Sequence, residues 1–563
     1  MNFPVGVSDF KELIQYKNPV TNEGYLFVDK SLCIKEVALD GSKVVVITRP
    51  RRFGKTINLS MLSYFYNIEH ADENRLLFDG LNISKEKSLI EKEQGKYPVI
   101  FVSFKGIKSK SFEDAKNKIS MLFSTLFDKY IFLLDSSDVT PTSKEQFRKV
   151  LSREVDDVLS SSSLLLLSDM LKSHYKTPVM MLIDEYDTPI HGAYINGYYD
   201  EMVSFMRSIL GESLKDNSNI HKAVLTGILR VSKESIFSGL NNVKVRSILS
   251  NQYADSFGFL ESEVDDFLSR SKINYSIQDV QQWYNGYIFG DRTLYNPWSI
   301  INFADNQGVL DLYWVNTSDN GIVKEMLTAG TSQANEKVKK LLQGEPITEY
   351  IGDHVSFKDL GGSKDLSWSM LLMSGYLKPV KLEMTPGYKK CELKIPNKEV
   401  AVLYREIIYE WLSQRAGLSW YHEMMEHLVK GEVDDFCENV KNLLNDMVSF
   451  HDAGTHRGEV FYHGLTLGLV AGLNELYYVR SNRESGEGRY DIAMFPRDKS
   501  HSGVIFELKV SANDTALVSD AKKALQQIDA LNYESELQAQ GVEKIIKIGI
   551  SFSGKHLDWQ WSS

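Results

Sequence analysis

Cysteine is scarce: Cys33, Cys391 and Cys437 are the only three in 563 residues, and they lie far apart. They offer no metal-ligand or redox spacing, which leaves ordinary buried thiols of a reducing cytoplasm as the expectation. Long apolar runs are lacking too. No uncharged apolar stretch approaches the roughly 18 residues of a spanning helix. The opening Met1-Asn2-Phe3-Pro4-Val5-Gly6 has neither the basic segment nor the apolar core of a signal peptide, so no membrane role is expected. Internal repeats and low-complexity linkers are absent, so the domains are expected to pack on one another. A positive charge excess is absent as well. The formal net charge of −11 argues against coating nucleic acid with the whole surface, and any such binding must come from a local basic patch. What is present is globular: 43% hydrophobic and 25% charged residues, in a chain long enough for about three or four domains.

Near the C-terminus, Gly488-Arg489-Tyr490-Asp491 precedes the apolar run Val504-Ile505-Phe506-Glu507-Leu508-Lys509-Val510. Strand side chains alternate faces, so Glu507 and Lys509 point one way while Phe506, Leu508 and Val510 pack behind. Burying such charges costs several kcal/mol unless they are paired or bind a metal, which points to chemistry rather than structure. Asp491 lies in the strand-like stretch Arg489 to Phe495, and the polar turn from Pro496 to Gly503 makes a hairpin that brings it beside Glu507. Two carboxylates on neighbouring strands can hold a hard divalent cation, and a lysine beside them can orient or activate water. That is phosphodiester chemistry. A surface hairpin with a salt-bridged Glu and Lys is the plainer alternative for E-x-K alone.

The pattern resembles the PD-(D/E)xK nuclease superfamily, whose core runs helix, three meandering strands, helix, strand. The local order agrees: a helical pattern over Glu459–Leu473, strands near Leu476–Arg480, Arg489–Phe495 and Val504–Val510, a helix over Asp514–Leu531 and a strand at Ile545–Phe552. The resemblance makes Asp491 and Glu507 metal ligands, Lys509 the catalytic lysine and Glu459 a further candidate ligand. Gln527 matches a position often polar in that superfamily.

A second constellation lies near the N-terminus. Val44-Val45-Val46-Ile47-Thr48 reads as a buried parallel strand, followed by Arg49-Pro50-Arg51-Arg52-Phe53-Gly54-Lys55-Thr56 and a helical pattern from Ile57 to Tyr66. This is a phosphate loop with Arg49 where G-x-x-x-x-G-K-[ST] has its first glycine. Gly54 permits close backbone approach, Lys55 can reach β/γ-phosphates, and Thr56 can ligate Mg²⁺ at a helix N-terminus. Arg49, Arg51 and Arg52 make the loop unusually basic and are read as nucleotide contacts. The altered first position leaves open whether nucleotide is hydrolysed quickly, slowly or only bound. Val179-Met180-Met181-Leu182-Ile183-Asp184-Glu185 supplies a Walker B form: Asp184 for Mg²⁺ and Glu185 to polarise the attacking water. Tyr97–Phe104 is another buried-strand candidate, and Ala223-Val224-Leu225-Thr226-Gly227 ends in a hydroxyl where related ATPases sense γ-phosphate. Arg230 is a candidate second sensor.

Pro4–Phe10, Tyr25–Ser31, Thr48–Thr56, Leu182–Ile190, Trp283–Tyr287 and Tyr295–Ser299 occur in the order of a prokaryotic family of AAA-like ATPases fused to a C-terminal PD-(D/E)xK nuclease-like domain, and nearly the whole chain is similar to it. The resemblance implies an α/β architecture. Residues 1–235 form the AAA-like P-loop domain on a doubly wound parallel sheet, 236–335 a helical lid, 336–430 a winged-helix-like and helical connector, and 431–563 the nuclease-like domain. The segment around Asp29 and Lys30 flanks the nucleotide base or caps the sheet. Lid aromatics read as core rather than as a base-stacking platform. Helix over Ser367–Tyr376, hairpin about Thr385-Pro386-Gly387 and helix over Glu399–Leu412 form the winged-helix-like pattern.

The implied activity is ATP binding and hydrolysis gating metal-dependent cleavage of nucleic acid in the cytoplasm, with ATP and Mg²⁺ as cofactors. DNA and RNA are left open, as is a homo-oligomer. The alternative is a nucleotide-dependent switch whose nuclease fold binds nucleic acid or protein without cutting.

Overall fold

The computed structural model describes residues 2–229, 243–315, 337–338, 340–342, 344–352, 364–385, 388–412, 417–447, 459–473, 476–485 and 488–563. Within some helices and strands, at Glu459 among others, only the backbone is described. The chain forms two compact units, Met1–Ser318 with Thr348–Glu399, and Asp319–Ile347 with Val400–Ser563.

In the first unit, β1 (Val44–Thr48), β2 (Val99–Ser103), β3 (Val179–Asp184), β4 (Ile220–Gly227) and β5 (Val243–Arg246) form a parallel sheet in the order β2-β3-β4-β1-β5. Every residue of β1 and β3 is buried, as expected of strands covered on both faces. Because β1, β4 and β3 are neighbours, their carboxyl ends lie side by side, where open α/β sheets bind ligands. The edge strand β5 is absent from the sequence reading, and its side chains are largely half-buried. Arg230 lies outside the described residues.

The region expected to form a lid is less continuously helical than the sequence pattern implies. Helices Glu261–Ser271 and Ile277–Tyr284 are followed by a hairpin of β6 (Tyr287–Phe289) and β7 (Arg292–Leu294), then helix Pro297–Asp305. Asn296 caps that last helix by accepting from the Trp298 and Ser299 N–H groups. Val264, Phe267, Val280, Tyr284, Ile300 and Phe303 form its core with Leu26. Further on, β8 (Ile347–Ile351), β9 (Lys378–Thr385) and β10 (Tyr388–Lys394) pair in the order β8-β10-β9, with helix Lys364–Met373 before the hairpin and helix Lys398–Leu412 after it. Pro386 and Gly387 of the expected turn lie outside the described residues.

The second unit carries β11 (Tyr477–Ser485), β12 (Gly488–Pro496), β13 (Gly503–Val510), β14 (Ile545–Ser553) and β15 (His556–Ser562) in that spatial order. Only the β13–β14 pair is parallel. One face packs Ile492, Phe506 and Ile548 against Met424, Leu428, Phe436, Leu444 and Val470 from helices Gly417–Lys430, Val433–Met447 and Glu459–Ala471. The other packs Ala493, Phe495 and Ile505 against Ile528 of helix Leu517–Ala530. That helix lies very close to the sheet: a Cβ at Gly549 would stand 2.4 Å from the Leu525 nitrogen, so only glycine fits there. Two expectations need correction. The edge strand β15 is an addition, and Val510, expected behind the charged pair, is 43% exposed because β13 leaves the core at its last residue. Among the described residues no helix is long and apolar enough to cross a membrane.

Candidate functional site

The loop after β1 turns through Gly54 at φ +83°, a left-handed conformation glycine adopts without strain, and opens helix Lys55–Tyr66. The Lys55 ammonium donates to the carbonyl oxygens of Arg49 (3.1 Å) and Pro50 (2.8 Å). Burial pulls its pKa down, while Glu185, Asp187 and Asp184 oppose that shift. Thr56 Oγ1 donates to Asp184 Oδ2 at 2.9 Å, Ser103 Oγ to the same oxygen at 3.2 Å, and Thr226 Oγ1 to Asp184 Oδ1 at 2.7 Å. Hydroxyls from three elements therefore converge on one fully buried carboxylate at the end of β3. Burial raises the Asp184 pKa; the Thr226 and Thr56 hydroxyls pull the other way. Glu185 follows in a left-handed conformation, φ +50°, and its Oε2 accepts from Thr188 Oγ1 at 3.2 Å.

A cavity of about 510 Å³ adjoins this cluster. Arg51, Arg52, Gly54, Lys55, Thr56, Glu185 and Asp187 line one side, with Lys105 and Lys108 after β2. Phe10, Phe27, Phe259, Phe267, Trp298 and Ile301 make an apolar side, joined by Asp29 and Lys30. The Lys30 ammonium is held by Glu263 at 2.6 Å and by the Asp255 carbonyl at 2.8 Å.

Arg49 does not belong to this group, against its expected nucleotide contact. Its fully buried guanidinium donates to the carbonyl oxygens of Thr48, Arg246, Gln252 and Tyr253 at 2.8–3.3 Å. It also lies over the rings of Phe257 and Phe289, and burial lowers its pKa to about 9. The side chain points back under the loop because the segment beside β5 offers acceptors there.

Sequence reasoning missed Asp187. Its Oδ2 accepts from the Ile228 and Leu229 N–H groups at 2.8 and 2.9 Å, clamping the chain just past β4. Burial raises its pKa. The signal was the third acid of Asp184-Glu185-Tyr186-Asp187.

In the second unit, β12 and β13 pair Ile492 with Phe506, so Asp491 stands one step beyond, across from Glu507. The Leu508 N–H donates to Asp491 Oδ2 at 2.8 Å. Glu507, 5% exposed, accepts from the Gln527 amide nitrogen, and Lys509 donates to Gln527 Oε1 at 2.8 Å. A carboxylate can only accept and an ammonium only donate, which fixes the orientation of that amide. Its nitrogen also donates to the Tyr533 hydroxyl at 3.2 Å. Burial raises the Tyr533 pKa, and the negative charges of Glu507 and Asp491 add to the rise. A further residue missed from sequence is His463, buried on helix Glu459–Ala471, whose Nε2 lies 3.0 Å from the Asp491 carbonyl oxygen. Glu459 opens that helix; its side chain lies outside the described residues. Among the described residues, the candidate ligands Thr56, Asp184, Asp491 and Glu507 offer a hydroxyl and carboxylates, oxygen donors that fit Mg²⁺.

Comparison with known proteins agrees with this layout. Residues 4–237 match the model of a predicted AAA-ATPase, and residues 457–561 that of the PD-(D/E)XK nuclease superfamily. An uncharacterized protein in the vnfD 5' region of Azotobacter chroococcum mcd 1 is 22% identical over 561 residues, covering 98% of this chain and 96% of that protein. Families of these two kinds typically use nucleotide and a divalent metal. The chain joins an N-terminal AAA-ATPase-like domain to a C-terminal domain of the PD-(D/E)XK nuclease superfamily.

Proposed function

We propose that this chain binds and hydrolyses ATP at the phosphate loop, and that its nucleotide state gates metal-dependent phosphodiester cleavage of nucleic acid at Asp491, Glu507 and Lys509. The convergence of Thr56, Ser103 and Thr226 on buried Asp184, beside a cavity with basic and apolar sides, is the observation that carries it. In this reading Lys55 and Arg51 hold the phosphates, Arg52 lines the cavity beside them, Thr226 senses the γ-phosphate, and Glu185 takes the proton of the attacking water. The apolar wall takes the base. Thr56 and Asp184 would hold one Mg²⁺, and Asp491 and Glu507, with Glu459, another. Bound there, the cation neutralises phosphate charge and makes water a better nucleophile.

At the second site Lys509 orients and activates the attacking water, and Gln527 keeps Lys509 and Glu507 at a common amide. A cytoplasmic setting suits an ATP-consuming protein whose three cysteines are free and buried. The test is incubation of purified protein with labelled DNA and RNA, with and without ATP and Mg²⁺ or Mn²⁺. Cleavage that requires metal, changes with ATP and vanishes in Glu507→Ala is expected. Nucleic-acid binding without cutting would leave only the switch reading, and ATP turnover unchanged in Lys55→Ala would end the first half.

A further inference from the structure

Three arginines stand in the phosphate loop, and the structure separates their roles. Arg49 is spent on backbone carbonyls beneath the loop. Arg51 lines the cavity, and its carbonyl oxygen is held by the Trp314 indole N–H at 3.0 Å. Arg52 adopts φ +66°, a left-handed conformation that strains a non-glycine residue. A residue needed only for the turn would be glycine. The guanidinium centre of Arg52 stands 4.0 Å over the ring of Trp298 in the first turn of helix Pro297–Asp305. Stacking of this kind orders a long side chain in advance. Arg52 and Trp298 line the same cavity as Lys55, Thr56 and Glu185; burial lowers the Arg52 pKa, and the negative charge of Glu185 opposes that shift.

ATP hydrolysis forms a bond from the water oxygen to the γ-phosphorus as the bond to the β–γ bridging oxygen breaks. ADP leaves with the electron pair, and the water proton passes to Glu185. Negative charge therefore spreads over the γ-phosphoryl oxygens and the bridging oxygen, where a planar guanidinium stabilises it better than an ammonium. Such an arginine can come from the same chain or from another protein. We propose that Arg52 is the transition-state arginine of ATP hydrolysis, supplied in cis, so that a single chain suffices for turnover. This rests on the reading of the cavity as an ATP site. Trp298 holds the guanidinium against the lid, where it stays available to the side of the phosphates that faces Glu185.

The experiment uses the full chain with Arg52→Ala and Arg52→Lys, a fluorescent ATP analogue, and ADP with aluminium fluoride as a transition-state mimic. Arg52→Ala should keep analogue binding close to wild type, lose turnover by about 10³-fold, and fail to form the long-lived ADP–aluminium fluoride complex that wild type forms. Arg52→Lys should remain impaired. Wild-type activity per chain should not change on dilution, and mixing Arg52→Ala with Lys55→Ala should not restore turnover. Restoration on mixing would show an arginine supplied in trans and overturn the proposal. So would unchanged turnover in Arg52→Ala, or loss of analogue binding there, which would make Arg52 a ground-state contact. Absence of analogue binding by wild type would instead remove the ATP-site reading on which the proposal rests.

Discussion

The guanidinium of Arg49 donates to the carbonyl oxygen of Tyr253 at 3.0 Å, across 204 residues of chain. This is the loop position where glycine is usual, and here the arginine serves as the loop's foundation. Replacing it with the usual glycine would strip buried carbonyls of Thr48, Arg246, Gln252 and Tyr253 of their donor. Each buried group left unsatisfied costs about 1–3 kcal/mol. Arg49→Gly should therefore destabilise the first unit by about 3 kcal/mol or more, seen as a lower first transition in scanning calorimetry. An unchanged transition would contradict the structural role.

Lys55 and Glu185 should separate binding from hydrolysis. Lys55 is the lysine at the start of the loop's helix, so Lys55→Ala should abolish detectable nucleotide binding. Glu185→Gln should bind ATP and fail to hydrolyse it. Isothermal titration and phosphate release decide this, and equal turnover in all three proteins would sink the assignment.

Glu399 gives the first unit a pH dependence. Its carboxylate accepts from the Trp314 N–H and the Ser299 hydroxyl, and burial raises its pKa to about 7. A raised folded-state pKa means the folded form binds the proton more tightly. Its stabilising effect is then complete below the ordinary carboxylate range and is lost as pH rises toward about 7. The loss is at most about 3 kcal/mol. Glu399→Gln should flatten the melting temperature between pH 5 and 8 and should gain on wild type at the alkaline end. A parallel pH profile in the variant would refute the assignment.

Gln527 should matter to the second site as much as a direct ligand's support does. Its amide joins Glu507 and Lys509, and losing such a support typically costs 10–100-fold in metal affinity or activity. Gln527→Ala should lower metal-dependent cleavage by about that factor. Asp491→Ala and Glu507→Ala should abolish it, with ATP binding intact in all three. Full cleavage by Asp491→Ala would remove it from the site.

Elements whose pattern and burial agree were legible. Val44–Thr48 and Val179–Asp184 are apolar throughout and buried throughout, and Val504–Leu508 carries its alternation into the packed sheet. β5 and β15 were not, because edge strands keep polar residues in solvent, as Val243-Lys244-Val245-Arg246 does, and so resemble loops. Thr56, Asp184 and Thr226 could be picked out because each sits at the end of a strand or the start of a helix. The fate of Arg49 could not. An arginine among arginines reads as a phosphate contact, and only the sheet order that sets β5 beside β1 supplies the carbonyls that capture it. Asp187 is likewise defined by contacts across the fold, 41 residues away in sequence; Gln527 was marked by the superfamily resemblance, but its bridging of Glu507 and Lys509, 18–20 residues away, is set only by the fold.

The gating itself is testable without knowing the substrate's sequence. A ligand shifts a conformational equilibrium only if it binds the two states differently, and coupling between two binding sites is reciprocal. If ATP changes the affinity for nucleic acid by some factor, nucleic acid must change the affinity for ATP by the same factor. Paired titrations should therefore show equal shifts: nucleic acid binding with and without a saturating non-hydrolysable ATP analogue, and analogue binding with and without saturating nucleic acid. Typical coupling is about 5–150-fold. In Lys55→Ala the nucleic-acid curve should no longer respond to the analogue, because the site that transmits the difference is gone. If each wild-type curve superimposes on the one measured without the second ligand, the two units are merely joined, and gating fails even where both activities are real.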